Sequence, residues 1–221
     1  DRFYSDLSFG TAGLRGLLGA GSNRMNIYTV KRATQGLANY LNQKYTSPSV
    51  AIAFDSRINS DLFAREAACT LAANNIKVYI SRELQPTPVL SFAVRELFCQ
   101  GGIVITASHN PAEYNGYKCY GEDGCQMTDT SASLVYDEIE KLNIFTEVRT
   151  EDFDTALKLG KIEYISDSVY EKYLQNVYAQ ALNEDACRDS AMKVVFTPLN
   201  GAGNKLVRKT LKHMGLEDVV V

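Results

Sequence analysis

The chain has 221 residues, of which 45% are hydrophobic and 22% are charged, a composition typical of a globular protein. Its net charge of −3 argues against a general nucleic-acid binder and against a protein that coats a membrane surface. No apolar run approaches the ~20 residues that cross a bilayer, and the five scattered cysteines and two histidines provide no zinc-binding spacing. We therefore expect a cytoplasmic protein with reduced thiols and with no nucleic-acid or membrane partner.

Helical and strand-like segments alternate through the first half of the chain. Apolar residues at helical spacing predict helices, and short apolar runs bounded by turn residues predict buried strands. The predicted order is a helix over 27–41, a strand over 50–54, a helix from Asn59 or Ser60, a strand over 77–80, a helix opened by Pro86 and Pro88, and a strand over 103–105. This alternation predicts an α/β fold with a mixed, mostly parallel sheet flanked by helices.

A serine loop follows the strand at 103–105. Pro111 cannot donate to a β-ladder and biases Asn110 away from helical geometry, so we expect the strand to end near Thr106 and Ser108 to lie on a tightly turned, exposed loop. The polar triplet at 55–57 follows the strand at 50–54. Ligands on parallel sheets bind outside the carboxyl ends of the strands, so this topology places the triplet and the serine loop at one edge.

Residues 131–221 contain two predicted helices, over 131–142 and 167–182, and then a near-repeat of an earlier pattern. Residues 192–221 repeat the strand, polar turn, helix and strand layout of residues 51–80. Tandem domains of like topology would produce such a repeat, and a chance βαβ similarity is the alternative. We place a domain boundary near residue 190, so that one domain covers 1–190 and the opening βαβ part of a second covers 191–221.

Three ordered motifs carry a family resemblance. They are Phe9-Gly10-Thr11-Ala12-Gly13-Leu14-Arg15-Gly16, Asp55-Ser56-Arg57, and Thr106-Ala107-Ser108-His109-Asn110-Pro111 followed by Asn115-Gly116-Tyr117-Lys118. Together they resemble the α-D-phosphohexomutases, the phosphoglucomutase and phosphomannomutase family. Residues 19–26 look most like the branch of bacterial phosphoglucomutases and phosphopentomutase-like enzymes. Members have four domains, so the resemblance implies a truncated chain holding domain I and the start of domain II.

The resemblance implies a phosphosugar mutase that moves a phosphoryl group between the C1 and C6 hydroxyls of a hexose phosphate. Ser108 would carry the group, and Lys118 would transfer protons and contact phosphate. His109 would bind or orient phosphate, or would only pack under the loop. The remaining predicted phosphate-binding residues are Arg15, Thr11, Asn110 and Arg57, although an ion pair with Asp55 is nearly as plausible for Arg57.

The resemblance also implies one Mg²⁺, with a phosphoserine oxygen of Ser108 as one ligand and an aspartate-rich loop of domain II as the others. A sugar 1,6-bisphosphate would be the activator, and the remaining domains would be partners of this chain. No such aspartate loop occurs in the sequence, and Asp152 and Asp154 have the spacing but fit surface charge better. We therefore expect the chain by itself to be catalytically inactive.

Other functions stay open at this point. A phosphopentomutase or a sugar-1,6-bisphosphate synthase would use the same phosphoserine, and a non-catalytic interaction domain could keep the scaffold without the chemistry. A serine hydrolase fits poorly, because no glycine-x-serine-x-glycine elbow surrounds Ser108. In extended backbone, adjacent side chains point to opposite faces, so His109 is expected to be badly placed as a base. Asn115-Gly116 is expected to form a turn that folds Lys118 back toward the loop.

Overall fold

The computed structural model describes residues 1–10, 12–183, 185–188, 190 and 192–221. They form two compact units, Asp1–Ile165 and Ser166–Val221. The predicted boundary near residue 190 concerns the domains of a longer protein and stays a prediction. None of the described helices is both long enough and apolar enough to cross a membrane.

The first unit is built on a six-stranded mixed sheet with the order β1-β5-β4-β2-β3-β6. Its strands are β1 (Gly13–Leu17), β2 (Ser49–Phe54), β3 (Lys77–Ile80), β4 (Gly101–Ile105), β5 (Tyr114–Gly121) and β6 (Ile162–Tyr164). Strand β2 pairs in parallel with β3 and β4, and β3 pairs in parallel with β6. Strand β5 is antiparallel to both β1 and β4. The predicted α/β class and mixed, mostly parallel sheet are confirmed.

Five helices accompany this sheet. They are α1 (Ile27–Lys44), α2 (Ser60–Ala73), α3 (Thr87–Glu96), α4 (Asp129–Glu140) and α5 (Phe153–Lys158). Helix α1 begins with a capping box, in which the Asn26 side chain accepts hydrogen bonds from the backbone of Tyr28 and Thr29. Its buried face packs against α2 and α4, while α3 packs on β2 and β4. The core between helices and sheet includes Leu37, Phe63 and Ile103, all fully buried.

The second unit has the βαβ order expected for the end of the chain. Its elements are α6 (Asp167–Tyr178), α7 (Asp185–Arg188), β7 (Val194–Val195), α8 (Asn204–His213) and β8 (Val219–Val220). Strands β7 and β8 pair in parallel on either side of α8 in sequence. His213, at the end of α8, stacks on the Tyr178 ring with centroids 3.6 Å apart, so this histidine has a packing role within its own unit.

Three strands, β1, β5 and β6, were missing from the sequence-based prediction, and one expectation was wrong. Residues 13–17 form β1, and Asn115-Gly116 lies inside β5 instead of turning the chain. Both segments are rich in glycine and polar residues, so neither shows apolar periodicity. They become strands because each pairs along its length with a neighbour, and β5 is held on both sides.

Replacing Gly116 with alanine should destabilise the fold strongly. A Cβ atom at this position would lie 2.5 Å from the Thr106 carbonyl oxygen and 3.0 Å from that of Leu14, and backbone atoms on both sides cannot yield cheaply. We expect Gly116→Ala to lower the free energy of unfolding by about 3 kcal/mol, measured by urea denaturation. The control is Gly121→Ala in the same strand, where the nearest atom is the end of the Asp123 side chain at 3.2 Å. Equal stability of the two variants would contradict the predicted close approach.

Candidate active site

The loop between β4 and β5 presents Ser108 in an unusual backbone conformation. Ser108 has a φ of 56°, in the left-handed region, and its N–H donates to Thr106 Oγ1 at 2.9 Å. The residue is exposed, whereas Thr106 and Ala107 before it are buried. A non-glycine residue in this region costs about 1–2 kcal/mol and persists only where its surroundings hold it there. The loop therefore presents a hydroxyl to solvent in a strained, fixed turn.

The Ser108 hydroxyl lies beside the His109 ring. Ser108 Oγ is 3.2 Å from His109 Nδ1, within hydrogen-bond distance. The expectation that the two side chains point apart was wrong, and the reason is local. It assumed extended backbone, but the left-handed conformation of Ser108 turns the chain so that adjacent side chains meet. His109 can therefore exchange a proton with Ser108 or bind a group attached to it.

Arg57 holds this loop from behind. Its terminal nitrogens donate to the backbone carbonyl oxygens of Ser108 (2.9 Å), Pro111 (2.9 Å) and Tyr114 (3.0 Å), and also to that of Asn110. Residues 55–57 and the serine loop therefore lie at the same edge of the sheet, as predicted, and Arg57 contacts the loop directly. The ion pair with Asp55 is also present, with Nε 3.5 Å from Oδ2. A phosphate contact for Arg57 stays a prediction.

A buried polar network stands behind Arg57. Asp55 Oδ1 accepts from the Arg57 backbone N–H at 3.0 Å and from the Ser60 hydroxyl at 2.7 Å. The Asn115 amide in turn donates to Ser60 Oγ at 3.0 Å. Ser60 and Asn115 are fully buried, whereas the sequence pattern predicts only a helix start and a turn at these positions. Asn115-Gly116 has the sequence of a turn dipeptide, so the sequence alone carried no signal for this network.

Strand pairing brings Arg15 and Lys118 together. In the antiparallel register, Gly13 faces Lys118 and Gly116 faces Arg15. Because side chains two residues apart share a face, the two cations are diagonal neighbours on one face, each opposite a glycine. Arg15 also donates to the Asn110 side-chain oxygen at 3.1 Å. Strand β1 is thereby linked to the loop two residues beyond Ser108.

The pKa of Lys118 is lowered, so its ammonium group loses a proton more readily than a solvated lysine does. Partial burial lowers its pKa below the ordinary 10.5, and the positive charge of Arg15 lowers the pKa further. Burial disfavours the charged ammonium, and the neighbouring guanidinium repels it. A lysine in this state is suited both to proton transfer and to contact with an anion. The same arrangement favours any ligand that brings negative charge to Arg15 and Lys118.

Thr11, also predicted to bind phosphate, lies outside the described residues.

Across the described part of the chain, no group of three or more His, Cys, Asp or Glu side chains could hold a metal ion. Asp152 is the N-cap of α5, where it accepts from the Thr155 backbone and hydroxyl. The hydrogen bonds from Thr155 lower the pKa of Asp152, so this carboxylate has a structural partner.

Sequence comparisons match this chain to known proteins. A family model described as phosphoglucomutase/phosphomannomutase, alpha/beta/alpha domain I, matches residues 6–144. A phosphoglucomutase of Staphylococcus saprophyticus is 40% identical over 219 residues, which cover 99% of this chain and 39% of the relative. A phosphoglucomutase of Staphylococcus aureus strain N315 is 38% identical, with 96% of this chain and 38% of the relative covered. The chain therefore spans about two fifths of the length of these curated relatives.

Solved structures give the same result for the fold. A structure from Thermus thermophilus that carries the name phosphomannomutase superposes with a TM-score of 0.82 and 28% identity, covering 98% of this chain and 45% of that one. The open form of the phosphoglucomutase parafusin from Paramecium gives a TM-score of 0.75 over 100% of this chain and 44% of its own. At 18% identity, this second likeness shows the fold alone.

Proposed function

The chain belongs to the phosphoglucomutase/phosphomannomutase family, and from this premise we propose that it is the phosphoryl-carrying part of a phosphosugar mutase. The whole enzyme would move a phosphoryl group between the C1 and C6 hydroxyls of a hexose phosphate. The observation that carries the proposal is the exposed Ser108 hydroxyl, held in a left-handed turn on a loop that Arg15 contacts through Asn110. A hydroxyl presented in this way can serve as a covalent carrier.

Two phosphoryl transfers make up the proposed reaction. In the first, the bond between phosphorus and Ser108 Oγ breaks and a bond to a sugar hydroxyl oxygen forms, while the hydroxyl proton leaves and Ser108 Oγ gains a proton. In the second, the sugar turns and its other phosphoryl group returns to Ser108, with the protons moving in reverse. We assign to His109, whose Nδ1 lies 3.2 Å from Oγ, the role of taking and returning the serine proton.

Arg15 and Lys118 would stabilise the negative charge on the moving group. Phosphoryl transfer depends mainly on positioning and charge neutralisation. One cation at ~4 Å contributes on the order of 4 kcal/mol at an effective dielectric of ~20. Two cations on one face of the sheet therefore matter even in a chain with a net charge of −3. Asn110 and Thr11 would add neutral donors, and Lys118 would also move a proton at the sugar oxygen.

Magnesium is the cofactor that the proposal implies. A phosphate on Ser108 would offer the hard oxygen ligand that Mg²⁺ prefers, and the described residues form no further metal-binding group. We therefore assign the chain one ligand, the phosphoserine, and assign the others to parts of a longer protein. When bound, the metal would neutralise charge on the phosphoryl oxygens. A sugar 1,6-bisphosphate is the proposed activator, and the cytoplasm is the proposed location.

The test is mutase turnover in the full-length protein. Glucose 1-phosphate, mannose 1-phosphate and ribose 1-phosphate would each be supplied with Mg²⁺ and the matching bisphosphate, and the 6- or 5-phosphate product measured in a coupled assay. We expect hexose turnover by the full-length protein and none by the 221-residue chain alone. Turnover of ribose phosphate only would favour a phosphopentomutase, and net bisphosphate formation a synthase. Absence of phosphoryl transfer to any substrate would contradict the proposal and favour an interaction domain.

A further inference from the structure

We propose that Arg57 is a positioning residue, which fixes the loop that carries Ser108 and does not itself touch the phosphoryl group. This inference rests on the proposed function for its kinetic consequences, although the loop contacts themselves are independent of it. It differs from the sequence-based expectation that Arg57 binds phosphate. The difference matters because the two roles predict different effects of the same substitution.

The donors of Arg57 are already engaged. A guanidinium has five N–H donors and no acceptor. Each of its two terminal nitrogens donates to two loop carbonyl oxygens, Nη1 to Pro111 and Tyr114 and Nη2 to Ser108 and Asn110. The fifth donor, on Nε, faces Asp55 Oδ2 at 3.5 Å. A phosphate could gain a hydrogen bond from this side chain only by displacing the loop that carries the phosphate or by displacing the Asp55 carboxylate.

The guanidinium is also held in place from its other side. The side chain is 12% exposed and that of Asp55 is 16% exposed. Asp55 is in turn fixed by the Ser60 hydroxyl, and Ser60 by the buried Asn115 amide. These contacts connect the end of β2, the start of α2 and strand β5. Arg57 therefore connects the sheet to the serine loop through contacts that are fixed on both sides.

These contacts of Arg57 stabilise the loop in two ways. The left-handed conformation of Ser108 is strained and needs surrounding contacts to persist. The four carbonyl oxygens also gather partial negative charge close to a serine that would carry about −1.5 to −2 charges as a phosphoserine. The guanidinium offsets this charge. Without it, the carbonyl groups would turn away from one another and the Ser108 hydroxyl would lose its position.

The kinetic test uses the full-length protein with Arg57→Ala and Arg57→Lys. A displacement of about 1 Å costs on the order of a hundredfold in rate, so we expect kcat to fall by about that factor while KM changes by less than about threefold. Added guanidinium should restore kcat of Arg57→Ala at least about tenfold, and sodium chloride at equal ionic strength should not. Lysine should fail as a substitute, because a single ammonium cannot span four carbonyl groups.

A matched control separates this role from loss of stability. Arg32 is 15% exposed and pairs with Asp6 and Glu140, and neither of these described ion pairs involves the serine loop. Arg32→Ala should lower the melting temperature but leave kcat within about threefold of the parent protein.

Amide hydrogen exchange provides a readout that does not depend on catalysis. The Asn110 N–H donates to the Ala107 carbonyl inside the loop, and the Tyr114 N–H donates to the Pro111 carbonyl where the loop meets β5. We expect both Arg57 variants, but not Arg32→Ala, to exchange these two amides at least about tenfold faster. If Arg57→Ala fails to fold, Arg57→Lys decides the result in the same way.

Two outcomes would overturn the inference: unchanged exchange in the Arg57 variants, or a raised KM with normal exchange and normal kcat, which would indicate direct phosphate binding. If the parent protein itself transfers no phosphoryl group, the proposed function fails. The exchange rates alone then decide whether Arg57 positions the loop.

Discussion

Replacing Ser108 with alanine should reduce mutase turnover of the full-length protein by about 10⁴-fold or more, because the covalent route then has no carrier atom. Arg15, Lys118 and the loop would remain, so substrate binding should survive. We therefore expect the loss in kcat and only a small change in substrate affinity, measured by steady-state kinetics and by calorimetric titration.

The matched control for this change is Ser133→Ala. Ser133 is an exposed serine in α4 whose hydroxyl donates to the Asp129 carbonyl at 2.9 Å. The control should keep full turnover. A Ser108→Ala protein that retains more than about 1% of the parent activity, after purification from a strain without its own mutase, would rule out a carrier role for this hydroxyl.

Replacing Lys118 with methionine should lower kcat/KM by about 10²–10⁴-fold, the range for loss of a proton-transferring group. Methionine keeps much of the length of the side chain, so its packing in β5 should be preserved. Lys118 is half-buried in a strand paired on both sides, and the Arg15 charge is close enough to lower its pKa. Thermal unfolding should therefore remain close to that of the parent protein, which separates chemistry from stability.

The lowered pKa of Lys118 determines the direction in which activity should change with pH. Burial and the Arg15 charge lower the pKa of Lys118, so its ammonium loses its proton at a lower pH than a solvated lysine would. Activity that needs the ammonium should fall as pH rises through that lowered pKa. Below it, the charged lysine costs folding stability, and this cost is relieved as pH rises from the folded pKa toward 10.5.

Arg15→Gln should move the alkaline limb of kcat/KM to higher pH, because it removes the like charge but not the burial. Lys118→Met should abolish the limb. Arg82→Gln is the control, since Arg82 stacks on the Tyr164 ring, and it should leave the profile unchanged. A limb that persists in Lys118→Met would assign the ionisation to another group.

The sequence predicts the part of the fold in which burial follows a regular period. Strands β2, β3 and β4 and helices α1 to α3 were found within a few residues, because apolar runs and amphipathic spacing both reflect burial in a parallel α/β layer. Strands β1 and β5 were missed for the opposite reason. They contain Gly13 and Gly116, and at both positions a neighbouring backbone approaches too closely for a larger residue.

The candidate site was likewise predicted in part from the sequence and missed in part. Strand ends predicted that Arg57 and Ser108 share one edge, and the family resemblance added Arg15; contacts of Arg57 and Arg15 with the loop agree with that. The proximity of His109 to Ser108 could not be predicted, because it depends on the left-handed backbone of one serine. The role of Asn115 was equally hidden, since a turn dipeptide and a buried amide in a strand have the same sequence.

The most direct measurement is to locate the phosphoryl group by tandem mass spectrometry after the full-length protein has been mixed with glucose 1,6-bisphosphate and Mg²⁺. We expect one added phosphoryl group, on the peptide that contains Ser108 and on that residue itself. A phosphoryl group found stably on another residue, or a protein that turns over hexose phosphates while Ser108 never becomes labelled, would contradict it.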